Sequence, residues 1–448
     1  MNQNQMERNL TSGSVFKNIV YFSLPYLLSY FLQTLYGMAD LFIIGQFNGV
    51  DSITAVSVGS QVMHMLTVMI VGLAMGSTVM IGQAVGAKRM KEAAETTGNT
   101  VTLFMFVSIA ATILLLVLVK PIVGVMSTPA EAVDGTRVYL MICFAGIPFI
   151  TAYNIISSIF RGLGDSKSPM YFIAVACAVN IALDYLFIGA LHLGPAGAAL
   201  GTTLSQTFSV IVAVAVILRK KTGLSLQKSD LKPKRGILEK ILKIGIPVAL
   251  QDGFIQISFI VVTVIANRRG IHDAAAVGIV EKIIGMLFLV PSSMLSTVSA
   301  LSAQNIGAGK HERALLTLRY GILIAVGFGI AATAVIQFAA EPVIGIFTRE
   351  KDMEVILLGS QYIRGYIWDC IFAGVHFCFS GYFCAYGKSG ISFLHNALSI
   401  VLVRIPGAFL ASEFFAGTLF PMGLAAAGGS LLSVIVCVIA FWYLRRRL

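Results

Sequence analysis

Apolar residues along this chain do not pick out one face of successive helices or alternate along strands. They fill whole stretches of about twenty residues, separated by short polar connections. A hydrocarbon core about 30 Å thick takes roughly 20 apolar residues to cross as a helix. Twelve stretches qualify: Ile19–Ile44, Ile53–Val79, Ala93–Val119, Tyr139–Phe160, Pro169–Leu191, Gly197–Leu218, Ile244–Ala266, Ala276–Leu301, Leu315–Phe338, Tyr362–Phe383, Phe393–Ala411 and Leu424–Leu444. The reading is an all-α integral membrane protein of twelve spans. Pro25, Pro247, Pro291 and Pro406 fall inside them, where each removes a backbone hydrogen bond and can bend its helix.

The longest polar connection, 219–243, divides the chain after six spans, and the two parts share motifs in the same order. FSLPYLL around Pro25 parallels KIGIPVAL around Pro247. GQAVGAKR at Gly82–Arg89 parallels AQNIGAGK at Ala303–Lys310. RGLGDSKS at Arg161–Ser168 parallels CAYGKS at Cys384–Ser389. The expected organisation is a segment 1–18, a six-helix lobe 19–218, a linker 219–243, a second lobe 244–444 and a tail 445–448. An even number of spans per lobe implies a pseudo-twofold axis along the membrane normal, as in many secondary transporters.

Composition supports the membrane reading. The chain is 57% hydrophobic and 12% charged, with a mean hydropathy of +0.86, whereas soluble chains carry about 25% charged residues. The net charge of +11 raises the question of nucleic acid, but its distribution points to a membrane. With the first residues in the cytoplasm, most of the 32 basic residues fall on inside segments, nine of them in 219–243, and only seven lie outside. That bias sets both termini on the cytoplasmic side of a cell (inner or plasma) membrane. Residues 1–14 are polar and the first apolar stretch is too long for a signal-peptide core, so it is expected to stay as a helix. The six cysteines lie in spans without a CxxC pair and read as packing residues. No metal-hydrolase, nucleophile-elbow or phosphate-loop motif points to an enzyme.

GQAVGAK followed by RGLGDSKSP, NIALDYLFIG at Asn180–Gly189 and QNIGAGK resemble the multidrug and toxic compound extrusion (MATE) family, and more its DinF-like branch than its NorM-like one. The resemblance runs from about Phe22 to Leu444. It implies a cation-coupled antiporter, driven by H+ or Na+, that exports amphipathic organic cations by alternating access between two lobes. It implies no cofactor beyond the coupling ion, no nucleic-acid partner and a monomer in the lipid bilayer. A flippase for lipid-linked saccharides, or an exporter of an endogenous metabolite, is the alternative. A flippase for an anionic head should carry several free Arg or Lys in its spans, and only Lys282 and Arg404 lie there.

Ionisable residues inside spans are functional candidates because charge there is costly. The first lobe offers Asp40 and Asp184 and no Lys or Arg within its spans, so a proton or bound cation has to supply the countercharge. At 1.5 Å per residue, Asp40 lies about 6 Å, Asp184 about 10 Å and Thr202 about 7 Å from the outer ends of their helices. Asn180 is one turn from Asp184 on the same face, and Tyr139 is near the outer start of the fourth helix. Oxygen ligands at one depth suit a hard cation such as Na+. The same carboxylates could hold protons and titrate as a pair. The family resemblance implies the same site, Asp40, Tyr139, Asn180, Asp184 and Thr202. The competing reading makes the acids structural.

In the second lobe Asp252, Glu281 and Asp369 face Lys282 and Arg404, and a bridge from Arg404 to Asp369 or Glu281 is the expected charge network. Gln33, Tyr36, Asn154 and Gln256 are polar at mid-helix and are expected to line a substrate cavity. His64, His376 and His395 read as packing or hydrogen-bonded residues.

Overall fold

A computed structural model describes residues 10–219, 226–348 and 352–446. The first nine residues, Lys220 and Lys221 of the polar connection, Arg349, Lys351 and Arg447 lie outside the described residues. The remainder is helical with no strand among the described residues. In lipid, only a helix or a closed barrel satisfies every backbone N–H and C=O internally. The helices are α1 (Val15–Phe47), α2 (Val50–Gly86), α3 (Met90–Val125), α4 (Ala130–Ala145 with Ile147–Gly162), α5 (Lys167–Ala190), α6 (Gly194–Leu218), α7 (Arg235–Arg269), α8 (Ile271–Gly307), α9 (His311–Ile346), α10 (Met353–Ala385), α11 (Ser389–Phe414) and α12 (Phe420–Arg445). By length and composition eleven of the described helices can cross a membrane, and α4, bent by 51° at Gly146, makes the twelfth. The twelve apolar stretches are thus twelve spans.

Most helices run past the apolar stretches. α7 begins at Arg235, inside the stretch expected as linker. Its polar first turns stay helical because Ile241 is buried and the backbones of Gly76 and Ile241, and of Gly245 and Leu73, approach too closely for a Cβ at either glycine. Small residues permit such helix contacts in membranes. Residues 226–234 are tied to α3. Asn99 donates to the Asp230 carbonyl at 3.2 Å, the Lys234 amide donates to Asn99 Oδ1 at 2.6 Å and Thr102 donates to the Leu231 carbonyl at 2.7 Å.

By packing, the chain forms two compact units, Leu10 with Leu24–Gly245 and Thr11–Ser23 with Ile246 onward. In the first, α2 packs on both segments of α4, and α5 pairs with α6. In the second, α10 lies against α8, α9 and α12. Its apolar window is 78% buried, against 11% for α3, so α10 is a core helix and α3 a lipid-facing one.

The repeated motifs return as repeated turns. Lys88 and Gly309 hold matching left-handed positions (φ +58° and +71°), as do Gly164 and Gly387 (φ +90° and +68°). Each turn closes in the same way: the Arg89 amide donates to the Ala84 carbonyl at 2.9 Å, Lys310 to Asn305 at 2.8 Å, Asp165 to Phe160 at 2.9 Å and Lys388 to Phe383 at 2.8 Å. These bonds satisfy carbonyls that a helix end leaves free.

The spans are also broken at matching places. The fourth span of each half is interrupted, α4 at Gly146 and α10 at Ile367–Trp368. The fifth of each half contains a π-helical stretch, Tyr185–Ala190 in α5 and Ile400–Arg404 in α11. π-helical turns widen the helix and recur at functional sites. In this chain they follow Asp184 and end at Arg404.

Candidate functional site

Asp184 is the last α-helical residue of α5 before its π-helical stretch, and its carboxyl is fully buried. Asn180, one turn earlier, is equally buried. Across from them, Asp40 of α1 is buried and accepts a hydrogen bond from the Thr202 hydroxyl of α6 at 3.1 Å. The two carboxyls and Asn180 lie near enough to interact directly. Gly201 makes room for them: a Cβ there would fall 2.1 Å from Asp184 Oδ1 and 3.5 Å from Asn180 Nδ2. Three helices therefore bring four of the expected residues into one cluster.

Its hydrogen bonding is deficient. Asp40 Oδ1, both carboxyl oxygens of Asp184 and both amide atoms of Asn180 have no hydrogen-bond partner among the described residues. None of the ion pairs among the described residues includes Asp40 or Asp184. A buried polar group without a partner costs about 1–3 kcal/mol, and more when charged. Such a group in a native structure calls for an ion, a proton or a catalytic role. A proton on either acid turns one acceptor into a donor toward its neighbour. A sodium ion would find oxygens from Asp40, Asp184, Asn180 and Thr202, the donor type hard cations take. The residues fit either.

One turn from each of these side chains, and on the same side, lie Ile44 of α1, Ile188 of α5 and Ala198 of α6, all fully buried in one apolar cluster. Along their helices they stand between the acids and the helix ends at Phe47, Ala190 and Gly194.

Tyr139 borders the cluster without joining its hydrogen bonds. Its hydroxyl pairs with Ser60 Oγ at 3.2 Å, and Gly59 lies against its ring. Tyr36 is one turn below Asp40 and within its electrostatic reach, with Gln206 of α6 as a neighbour. Gln33 is half-buried on the same helix. Asn154 is buried further along α4, its amide donating to the Ile150 carbonyl at 2.8 Å. Gln256 is half-buried on α7 in the other unit. Gly201, Ser60 and Gln206 were not anticipated, because isolated small or amide residues in apolar helices have no distinctive spacing.

In the second unit the expected bridge does not form. Arg404 donates to the Tyr366 hydroxyl and lies over the rings of Phe259 (4.7 Å) and Tyr366 (5.5 Å). Neither Asp369 oxygen has a hydrogen-bond partner among the described residues, and Glu281 accepts from Thr263 at 3.0 Å. Arg404 therefore influences the two acids from a distance, held by aromatic faces that suit a planar guanidinium. Asp369 opens the helical segment after the break in α10, where the helix dipole favours negative charge. His376 and His395 are hydrogen-bonded to Ser430 (3.3 Å) and Ser380 (2.8 Å).

The family model described as MatE matches residues 25–186 and 247–410. The probable multidrug resistance protein YpnP of Bacillus subtilis (strain 168) is 28% identical over 407 residues, covering 91% of this chain and 90% of that protein. The probable multidrug resistance protein YoeA of the same organism is 26% identical over 408 residues, covering 90% and 88%. Among solved structures, that of MATE in complex with MaL6 superposes with a TM-score of 0.91 at 22% identity, covering 99% of this chain and 98% of that one.

Proposed function

This chain belongs to the MatE family, and on that premise we propose that it is a multidrug exporter of amphipathic organic cations, driven by exchange for an H+ or Na+ held at Asp40 and Asp184. The supporting observation is the pair of adjacent buried carboxyls with one hydrogen bond between them and the rest of the protein, and no basic partner among the described residues. A single positive charge satisfies such a pair, and its departure leaves negative charge in a dry site.

That charge is the link to transport. An organic cation and the coupling cation compete to neutralise the same acids, so each lowers the affinity for the other. Linkage makes that effect reciprocal. Alternating access then carries the substrate out on one stroke and the coupling cation in on the other. Tyr36 and Gln33, on the helix that carries Asp40, are the substrate contacts nearest the exchange. Membership of a transporter family places the chain in the membrane as a multi-pass protein, and the basic residues on its inside loops support cytoplasmic termini.

The test uses proteoliposomes loaded with a fluorescent organic cation and given a proton gradient or a sodium gradient separately. One gradient should drive transport. Asp40→Asn and Asp184→Asn should each lower driven transport at least tenfold while leaving thermal unfolding within a few degrees of wild type. Full transport by both variants would refute the site.

A further inference from the structure

A cleft of about 920 Å³ lies at the end of the first unit where the α2–α3 turn meets the start of α7. Lys88, Arg89, Lys91, Lys234 and Lys240 line it with Glu92 and Glu95. The two acids are engaged, Glu92 by Arg89 and Glu95 by Lys234, each at 2.8 Å. Lys88, Lys91 and Lys240 form none of the ion pairs seen among the described residues. Thr96, fully buried, also lines the cleft, and its hydroxyl has no hydrogen-bond partner. The first turn of the 36-residue α3, with its unused backbone N–H groups, opens onto the same space.

The second half of the chain provides an internal comparison. At the matching turn, Lys310 Nζ donates to the Thr11 carbonyl at 2.8 Å, and Arg313 donates to the carbonyls of Gly13 (3.0 Å) and Ser12 (3.2 Å). A segment of chain lies over those cations. Among the described residues the first-half turn has no such cover, and Lys234–Lys240 border its cleft without closing it.

We propose that this cleft binds the phosphate headgroup of an anionic phospholipid from the cytoplasmic leaflet. Three lysines with no carboxylate partner among the described residues, helix N–H groups and a hydroxyl donor match a phosphodiester. Met80, Met90 and Ile237 supply apolar wall, and α3, which forms one side, faces lipid along most of its length, its apolar window being 11% buried. A headgroup tethered to acyl chains can lie along that helix, whereas a free anion gains nothing from it. Basic pockets between membrane helices on the cytoplasmic side bind anionic headgroups in this way. The inference rests on the inside placement of this loop and not on the export reading.

Native mass spectrometry of purified full-length protein with phosphatidylglycerol or phosphatidylcholine tests it. Wild type should retain phosphatidylglycerol at least tenfold over phosphatidylcholine. The triple variant Lys88→Gln, Lys91→Gln, Lys240→Gln should lose that preference. A control triple at exposed lysines outside the cleft, Lys228→Gln, Lys232→Gln, Lys388→Gln, should keep it, and thermal unfolding in phosphatidylcholine should show both variants folded. Equal loss in both variants means generic attraction to basic loops and overturns the proposal. So does retention unchanged in the cleft variant, or displacement of the lipid by millimolar inorganic phosphate, which would point to a free anion.

Discussion

A carboxylate removed from water needs charge or hydrogen-bond donors to replace its hydration. Asp40 has one donor, Thr202, and Asp184 has none. In the proposed mechanism this shortage suits the pair to take up and release a cation, and it depends on side chains that carry no charge. Gly201 is the most sensitive of them. A Cβ 2.1 Å from Asp184 Oδ1 has to displace the carboxyl, so Gly201→Ala is expected to lower gradient-driven transport about tenfold. Thr202→Val, which removes the one donor, should do likewise, and Thr202→Ser should transport near wild type. Transport assays of the three variants beside their thermal unfolding check this. At this scale the acids were legible in the sequence, because an Asp inside an apolar helix stands out. Gly201 and Ser60 were not, since small polar residues are common in membrane helices and only a neighbour's position shows what they make room for.

Among elements, the spans were legible and their interruptions were not. Hydrophobic length registers a crossing of the bilayer but is indifferent to whether the helix runs α, π or broken. The break at Gly146 in α4 is followed at once by Pro148, which the sequence reading did not single out, whereas the break at Ile367–Trp368 in α10 has no proline beside it. The two π-helical stretches carry the two charge clusters, one after Asp184 and the other ending at Arg404. Arg404 also shows where pattern reading fails. Opposite charges in neighbouring spans suggested an ion pair, but aromatic faces and the Tyr366 hydroxyl hold the guanidinium instead. A buried cation on aromatic faces gains about 2 kcal/mol or more from each favourable contact. Arg404→Met should therefore lower the unfolding temperature by several degrees. Arg404→Lys should recover little, because an ammonium cannot stack on two rings. Full recovery by lysine would mean that charge alone matters there.

For the molecule as a whole, duplication is written at two levels. Short motifs recur at Gly82–Arg89 and Ala303–Lys310, and the same left-handed turns recur in the backbone with the same closing hydrogen bonds. What the sequence did not disclose is that residues 11–23 pack with the second unit and Arg235–Gly245 with the first. Apolar length says nothing of which neighbours a helix end will choose. The repeat also sharpens the functional asymmetry. The first unit has two acids without a base, and the second sets Asp369 and Glu281 under the influence of Arg404. On the proposed mechanism, exchange belongs to the first unit. The direct measurement is the number of cations released when an organic cation binds purified protein, read by a pH indicator in weak buffer and by a sodium electrode. Wild type should release about one H+ or one Na+ per substrate bound, and Asp184→Asn should release none. Substrate binding to wild type with no release, or release unchanged in Asp184→Asn, would contradict exchange at this pair.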